Sequence, residues 1–223
     1  MDVIEMEFRR AMKNPGCPIC RLVEEFEKKE IETILYEHPN DPEVRKSIRK
    51  SGGLCTRHAW EVLRLAFSNP LLGPHGISVI YEDVLRSYLR GEETAEECLM
   101  CRLSAEKERI LIESLAGRLS RLIEAYESSP SIICRRHYEE ILKLIADESL
   151  RARFSNVQRR KLEELLNRLS EFIESFDYRA EKKPKETERR AILEVVEFLA
   201  GREAGPQCRV GERREKRWPL RLK

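Results

Sequence analysis

A chain of 223 residues with 41% hydrophobic and 37% charged side chains and a net charge of only +2 can bury a sizeable core, and it implies neither a strongly acidic nor a strongly basic partner. That balance excludes wholesale disorder. No stretch approaches the roughly 20 apolar residues of a membrane span, and charges at Asp2, Glu5, Glu7, Arg9 and Arg10 interrupt any leader-like run, so a cytoplasmic location is expected.

Taken in chain order, the first element carries Leu22, Phe26, Ile31, Ile34 and Leu35 on one helical face, the second Trp60, Val62, Leu63 and Leu65, and the third Ile77, Ile80, Val84, Leu85 and Tyr88. Gly73-Pro74 and Gly91 punctuate them. The same order returns over Leu103 to Tyr126, Ile141 to Ile145 and Phe154 to Phe176. A further helix, Thr187 to Ala200, follows the charged stretch Glu181-Lys-Lys-Pro-Lys and stops at Gly201. No alternating strand pattern competes, so the fold class is all-α, built from duplicated three-helix units and a C-terminal helix. The corresponding division is 1–92, 93–180, 181–203 and a basic tail, 204–223.

The duplication is marked by cysteine. Cys17-Pro-Ile-Cys20 is followed by Cys55-Thr-Arg-His58, and Cys98-Leu-Met-Cys101 by Cys134-Arg-Arg-His137, using six of the seven cysteines and two of the four histidines. Both Cys-x-x-Cys pairs run into Arg-Leu, and both Cys-x-x-His pairs open an amphipathic segment. Two ligands three apart at a turn entering a helix can point at one ion, and Cys3His is a closed donor set for zinc. Helix N-termini favour thiolates, and Arg21, Arg57, Arg102, Arg135 and Arg136 are placed to offset the charge of three of them. The expectation is two Zn2+ per chain, each stapling one unit: Cys17, Cys20, Cys55 and His58 in one site, Cys98, Cys101, Cys134 and His137 in the other.

Other uses of the cysteines fit less well. A c-type haem needs His directly after the second cysteine, where Arg21 and Arg102 stand. A thioredoxin-like dithiol needs a βαβ context, and disulfides within the Cys-x-x-Cys pairs leave Cys55 and Cys134 over. An iron–sulfur cluster on the same ligands is chemically allowed. Cys208 reads as a bystander thiol, and His38 and His75 as loop histidines. Glu82-Asp83 reads as an ordinary helix pair and Trp60 as core.

The segments "CPICRL", "DPEVRKSIRKSGGLCTRHAW", "YEDVLR" and "CRRHYEEIL" together resemble an uncharacterised prokaryotic family, a domain of unknown function with duplicated Cys-x-x-Cys and Cys-x-x-His helical units. The likeness spans roughly residues 10 to 200 and implies ligands at the eight named positions, but no activity. The sequence lacks a nucleophile–base pair, a phosphate-binding glycine loop or an unassigned histidine cluster. The expected role is a zinc-stapled scaffold or interaction protein, more a binder than an enzyme, with a redox- or metal-responsive regulator as the alternative. Its partner is macromolecular, protein before nucleic acid. The tail 209–223, with seven Lys or Arg against two Glu and with Trp218, is the place for a nucleic-acid contact. The dominance of Glu and Arg, with Gln only at 158 and 207, resembles thermophile surfaces.

Overall fold

The computed structural model describes residues 2–177 and 184–202; the basic tail and Cys208 lie outside the described residues. Among the described residues the chain forms nine α-helices and no strand, all-α as the periodicity predicts. They are α1 (Val3–Met12), α2 (Pro18–Tyr36), α3 (Pro42–Lys50), α4 (Thr56–Ser68), α5 (His75–Leu89), α6 (Leu99–Glu127), α7 (Arg135–Leu144), α8 (Glu148–Glu174) and α9 (Glu186–Ala200). No helix is long and apolar enough to cross a membrane.

Helices α1 and α3 add to the expected set. Asp2 caps α1 by accepting from the Glu5 amide, and α1 buries Phe8, Ala11 and Met12 at helical spacing. Asp41 caps α3 by accepting from the amides of Glu43 and Val44, with Pro42 in the first turn where no amide donor is missed. The residues His38 to Asp41 form the turn before it, and His38 is exposed.

Two main cores are built, and each draws on both halves of the chain. One gathers α1, the start of α2, most of α6, α7 and the start of α8 around Phe8, Leu115, Leu119, Tyr126 and Phe154. The other gathers the end of α2, α3, α4, α5 and the first turn of α6 around Ile31, Ile48, Val62, Ile80 and Met100. Helices α2 and α6 therefore run through both cores in opposite senses. A third, smaller cluster joins α8 to α9 through Leu165 and Ala191. At the join of α2 and α5 the backbones touch so closely that a Cβ on Gly76 would strike the Leu35 carbonyl oxygen.

The rotation of α4 departs from expectation. His58, Val62 and Ala66 face inward, and this stripe of every fourth residue leaves Trp60, two residues from His58 and about 200° around, pointing out. Trp60 is 59% exposed and lines an apolar groove with Leu63, Phe67, Pro74 and Tyr81 instead of filling the core. On α5, Ile77 and Ile80 are buried as predicted, whereas Leu85 and Tyr88 are exposed. Of the acidic pair, Glu82 faces water beside Arg86, and Asp83 accepts from Arg45 at 3.2 Å and Arg49 at 2.5 Å, tying α5 to α3.

Candidate metal centres

Four helices, α2, α4, α6 and α7, begin at a cysteine N-cap: Cys17, Cys55, Cys98 and Cys134. None of these side chains caps its own helix by hydrogen bonding in the manner of serine or aspartate, and each has a second donor three residues on. The spacing puts both donors on the same side of the first turn, where amide N–H groups and the helix dipole favour negative sulfur.

The eight expected residues gather into two groups of four, but the grouping crosses the repeat. Cys17 and Cys20 meet Cys134 and His137, while Cys98 and Cys101 meet Cys55 and His58. The in-order pairing read from the sequence is thus corrected, and helix length supplies the reason. Helix α6 has 29 residues and carries the chain about 43 Å from Cys98. The segment from there to Cys134 spans at most about 25 Å, so Cys134 cannot return to the end of α6 where Cys98 sits. It meets the start of α2 instead. The backbones of the two approaching turns are joined as well: the Ile132 amide donates to the Gly16 carbonyl at 3.3 Å, and at the other cluster the Ala95 amide donates to the Lys50 carbonyl at 3.0 Å.

In the first cluster His137 Nδ1 lies 3.3 Å from Cys17 Sγ, 3.5 Å from Cys20 Sγ and 3.2 Å from Cys134 Sγ, with Cys20 and Cys134 sulfurs 3.8 Å apart. In the second, His58 Nδ1 lies 3.2 Å from Cys55, 3.5 Å from Cys98 and 3.4 Å from Cys101, with Cys55 and Cys101 sulfurs 3.6 Å apart. A tetrahedron with bonds of about 2.3 Å to sulfur and about 2.05 Å to nitrogen has edges of about 3.6 to 3.8 Å. The sulfurs are far beyond the roughly 2.05 Å of a disulfide, and none of the six cysteines forms one. Both clusters could hold a metal ion. Seven of the eight donor residues are buried, Cys55 being partly exposed.

Behind each histidine stands a carboxylate that the sequence reading did not single out. Glu108 Oε1 is 2.7 Å from His137 Nε2, and Glu27 Oε1 is 3.3 Å from His58 Nε2. A carboxylate can only accept, so Nε2 carries a proton, and Nδ1 faces the sulfurs, where an ion would take the place of its second proton. Arg136 pairs with Glu108 and Arg57 with Glu27. Of the five arginines expected to balance thiolate charge, these two stand beside the histidines. Arg21 donates to the Pro15 carbonyl at 2.7 Å and Arg102 to the Ser47 hydroxyl at 3.0 Å. Glu61 lies near Glu27 and His58 as part of the same surround.

Proton affinities follow the crowding. Hydrogen bonding from Cys101, working against burial and aided by His58, holds the Cys98 thiol down at about 3. Hydrogen bonds from Cys17 and Cys20 hold Cys134 at about 4, while burial pushes Cys17 up. Burial alone would lower the two histidines, but Cys98 with Glu27 and Cys20 with Glu108 outweigh it and raise each to about 9. An incoming ion displaces these protons, so its affinity rises with pH.

Fold and clusters together define an all-α protein with two crossed Cys3His-type centres capable of holding metal. The chain is 29% identical over 203 residues to a protein of Caldicellulosiruptor sp. (strain Rt8B.4) described as "Uncharacterized 23.9 kDa protein in xynA 3'region", a match covering 85% of this chain and 97% of that one. This likeness agrees with the resemblance to a family without assigned function. No protein-family model matches the chain, and no solved structure does.

Proposed function

We propose that each cluster holds one Zn2+, two per chain, and that the protein is a helical scaffold stapled by these ions that works by binding another macromolecule. The observation that carries this reading is the closed donor set: three sulfurs and one imidazole nitrogen, all within 4.8 Å of one another, fill a tetrahedral shell. A catalytic zinc keeps a position for water or substrate, and a four-donor protein shell favours a structural ion. The exposed groove of Trp60, Leu63 and Phe67 supports a protein partner over nucleic acid. Elemental analysis of the purified protein is expected to give about two zinc ions per chain; one ion or fewer, or iron with visible absorption, overturns the assignment.

The partial exposure of Cys55 favours a second reading, a redox- or metal-responsive regulator. In that case peroxide, itself reduced to water, joins two thiolates of the Cys55 cluster as a disulfide and releases its ion first. Simultaneous release from both clusters, or none on peroxide treatment, counts against it.

A further inference from the structure

We propose that the two centres load cooperatively, because α2 and α6 each give two thiolates to one centre and, two turns further on, the carboxylate that orients the histidine of the other. The inference rests on the metal-binding reading of the clusters. Helix α2 brings Cys17 and Cys20 to His137, and its Glu27 to His58. Helix α6 brings Cys98 and Cys101 to His58, and its Glu108 to His137. Each carboxylate stands seven residues after its helix's second cysteine, about 10 Å along the axis. The two helices are therefore antiparallel, with each centre lying at the N-terminus of one and beside the third turn of the other.

The consequence is a shared frame. An ion at Cys98 and Cys101 fixes the start of α6, and the same rigid helix then holds Glu108 where His137 Nε2–H can donate to it. An ion at Cys17 and Cys20 does the same for Glu27 and His58. Ordering done for the first ion is not repeated for the second, which is positive coupling without direct contact between the ions. The two cores repeat the arrangement, since α2 and α6 pass through both. Glu27 and Glu108 are in this sense positioning residues, each acting on a metal through a histidine.

The test is native mass spectrometry of the full chain titrated with Zn2+ from its metal-free form, together with chelator competition. At an average of one ion per chain, two equal independent centres leave about half of the molecules with a single ion, and unequal ones leave more. Cooperative loading leaves fewer. Cys98→Ser/Cys101→Ser, which disables one centre, is expected to weaken Zn2+ at the other by about 10-fold. In a Cys17→Ser/Cys20→Ser background, Glu27→Gln is expected to weaken Zn2+ at the Cys55 centre by about 10-fold, although Glu27 is on the helix whose thiolates serve the other centre. Should the thiolate variants fail to fold, the single-ion share of the unmodified chain decides together with the two stepwise affinities read by chelator competition. Two ions with a single-ion share of half or more, and unchanged affinity at one centre when the other is disabled, overturn the coupling and leave the metal reading standing. No ion bound at either centre overturns the reading on which it rests.

Discussion

Crossed ligation has a consequence that in-order ligation cannot imitate, and it is read by removing thiolates in pairs. Cys17→Ser/Cys134→Ser takes two donors from a single cluster and none from the other, whereas Cys17→Ser/Cys55→Ser takes one from each. If a structural zinc site supplies about 10–16 kcal/mol from four donors, each donor accounts for about 2.5–4 kcal/mol, or roughly 100- to 1000-fold in affinity. The first variant therefore keeps one ion held by four donors, weakened only by the modest coupling between centres. The second keeps two three-donor sites, each weakened by that larger factor. After challenge with a chelator of nanomolar zinc affinity, elemental analysis is expected to give about one ion per chain for Cys17→Ser/Cys134→Ser and close to none for Cys17→Ser/Cys55→Ser. The opposite order would refute the crossed geometry. A loss confined to α1–α5 in Cys17→Ser, with α7 undisturbed by hydrogen exchange, would count against it too, since Cys17 shares its cluster with the first turn of α7.

The turn leading into Cys134 is set by a buried network: the Ile133 amide donates to the Tyr126 hydroxyl at 3.2 Å, that hydroxyl donates to Gln158 Oε1, and Gln158 Nε2 donates to the Ile133 carbonyl at 2.7 Å. Tyr126→Phe leaves the Ile133 amide unpaired in the interior and is expected to cost about 1–3 kcal/mol in urea denaturation, with faster metal release from the Cys134 centre than from the Cys55 centre; equal release rates would argue against the link. Burial pushes the Asp83 carboxyl up, but the Arg49 and Arg45 guanidiniums outweigh it and hold its pKa below the ordinary 3.8. Its contribution is therefore fully present above about pH 4 and is lost as pH falls through the lowered value. Asp83→Asn should lower the denaturation midpoint near neutrality, and the gap to the parent chain should close on acidification. A gap that widens towards low pH would contradict the ion pair.

Much of this was legible in the sequence. The six main helices of the two repeats and α9 stand close to where apolar periodicity places them, although α5 leaves Leu85 and Tyr88 exposed, α9 leaves Ile192 and Leu193 exposed, and α8 ends at Glu174, before Phe176. The missed helices had local signals: Asp41-Pro42-Glu43 is a cap followed by proline and an acidic first turn, and Phe8, Ala11 and Met12 share a face. Trp60 reads as core alongside the ligand His58, although two residues apart on one helix they cannot share a face. Once a histidine must face an ion, the ligand sets the rotation of the helix and the larger apolar residue turns outward. Glu27 and Glu108 were visible as equivalent positions of the repeat, each seven residues past the second cysteine. They were passed over because a glutamate on a charged helix is ordinarily solvated, and only the tertiary placement of His58 and His137 makes these two buried.

The pairing of the half-sites is the instructive failure, since the repeat favours in-order closure while the length of α6 forbids it in the second repeat. Donor chemistry cannot choose, because either closure yields three sulfurs and one nitrogen per ion. Length can. Helix α2 takes the chain about 28 Å away from Cys17 over its 19 residues. On its return the chain brings His58 beside Glu27, 3.3 Å from it, and Cys55 to Cys98 and Cys101 instead of Cys17. In the second repeat α6 is longer still and no helix returns. With Cys134 unable to return to Cys98, each half-site closes against its copy, and the two closures bind the repeats to each other through the start of α2 and the start of α6. An ion in either centre then holds the two halves of the chain together. Any ion held there lies between the halves, and removing it is expected to loosen the association of helices distant in sequence before it unravels any single helix.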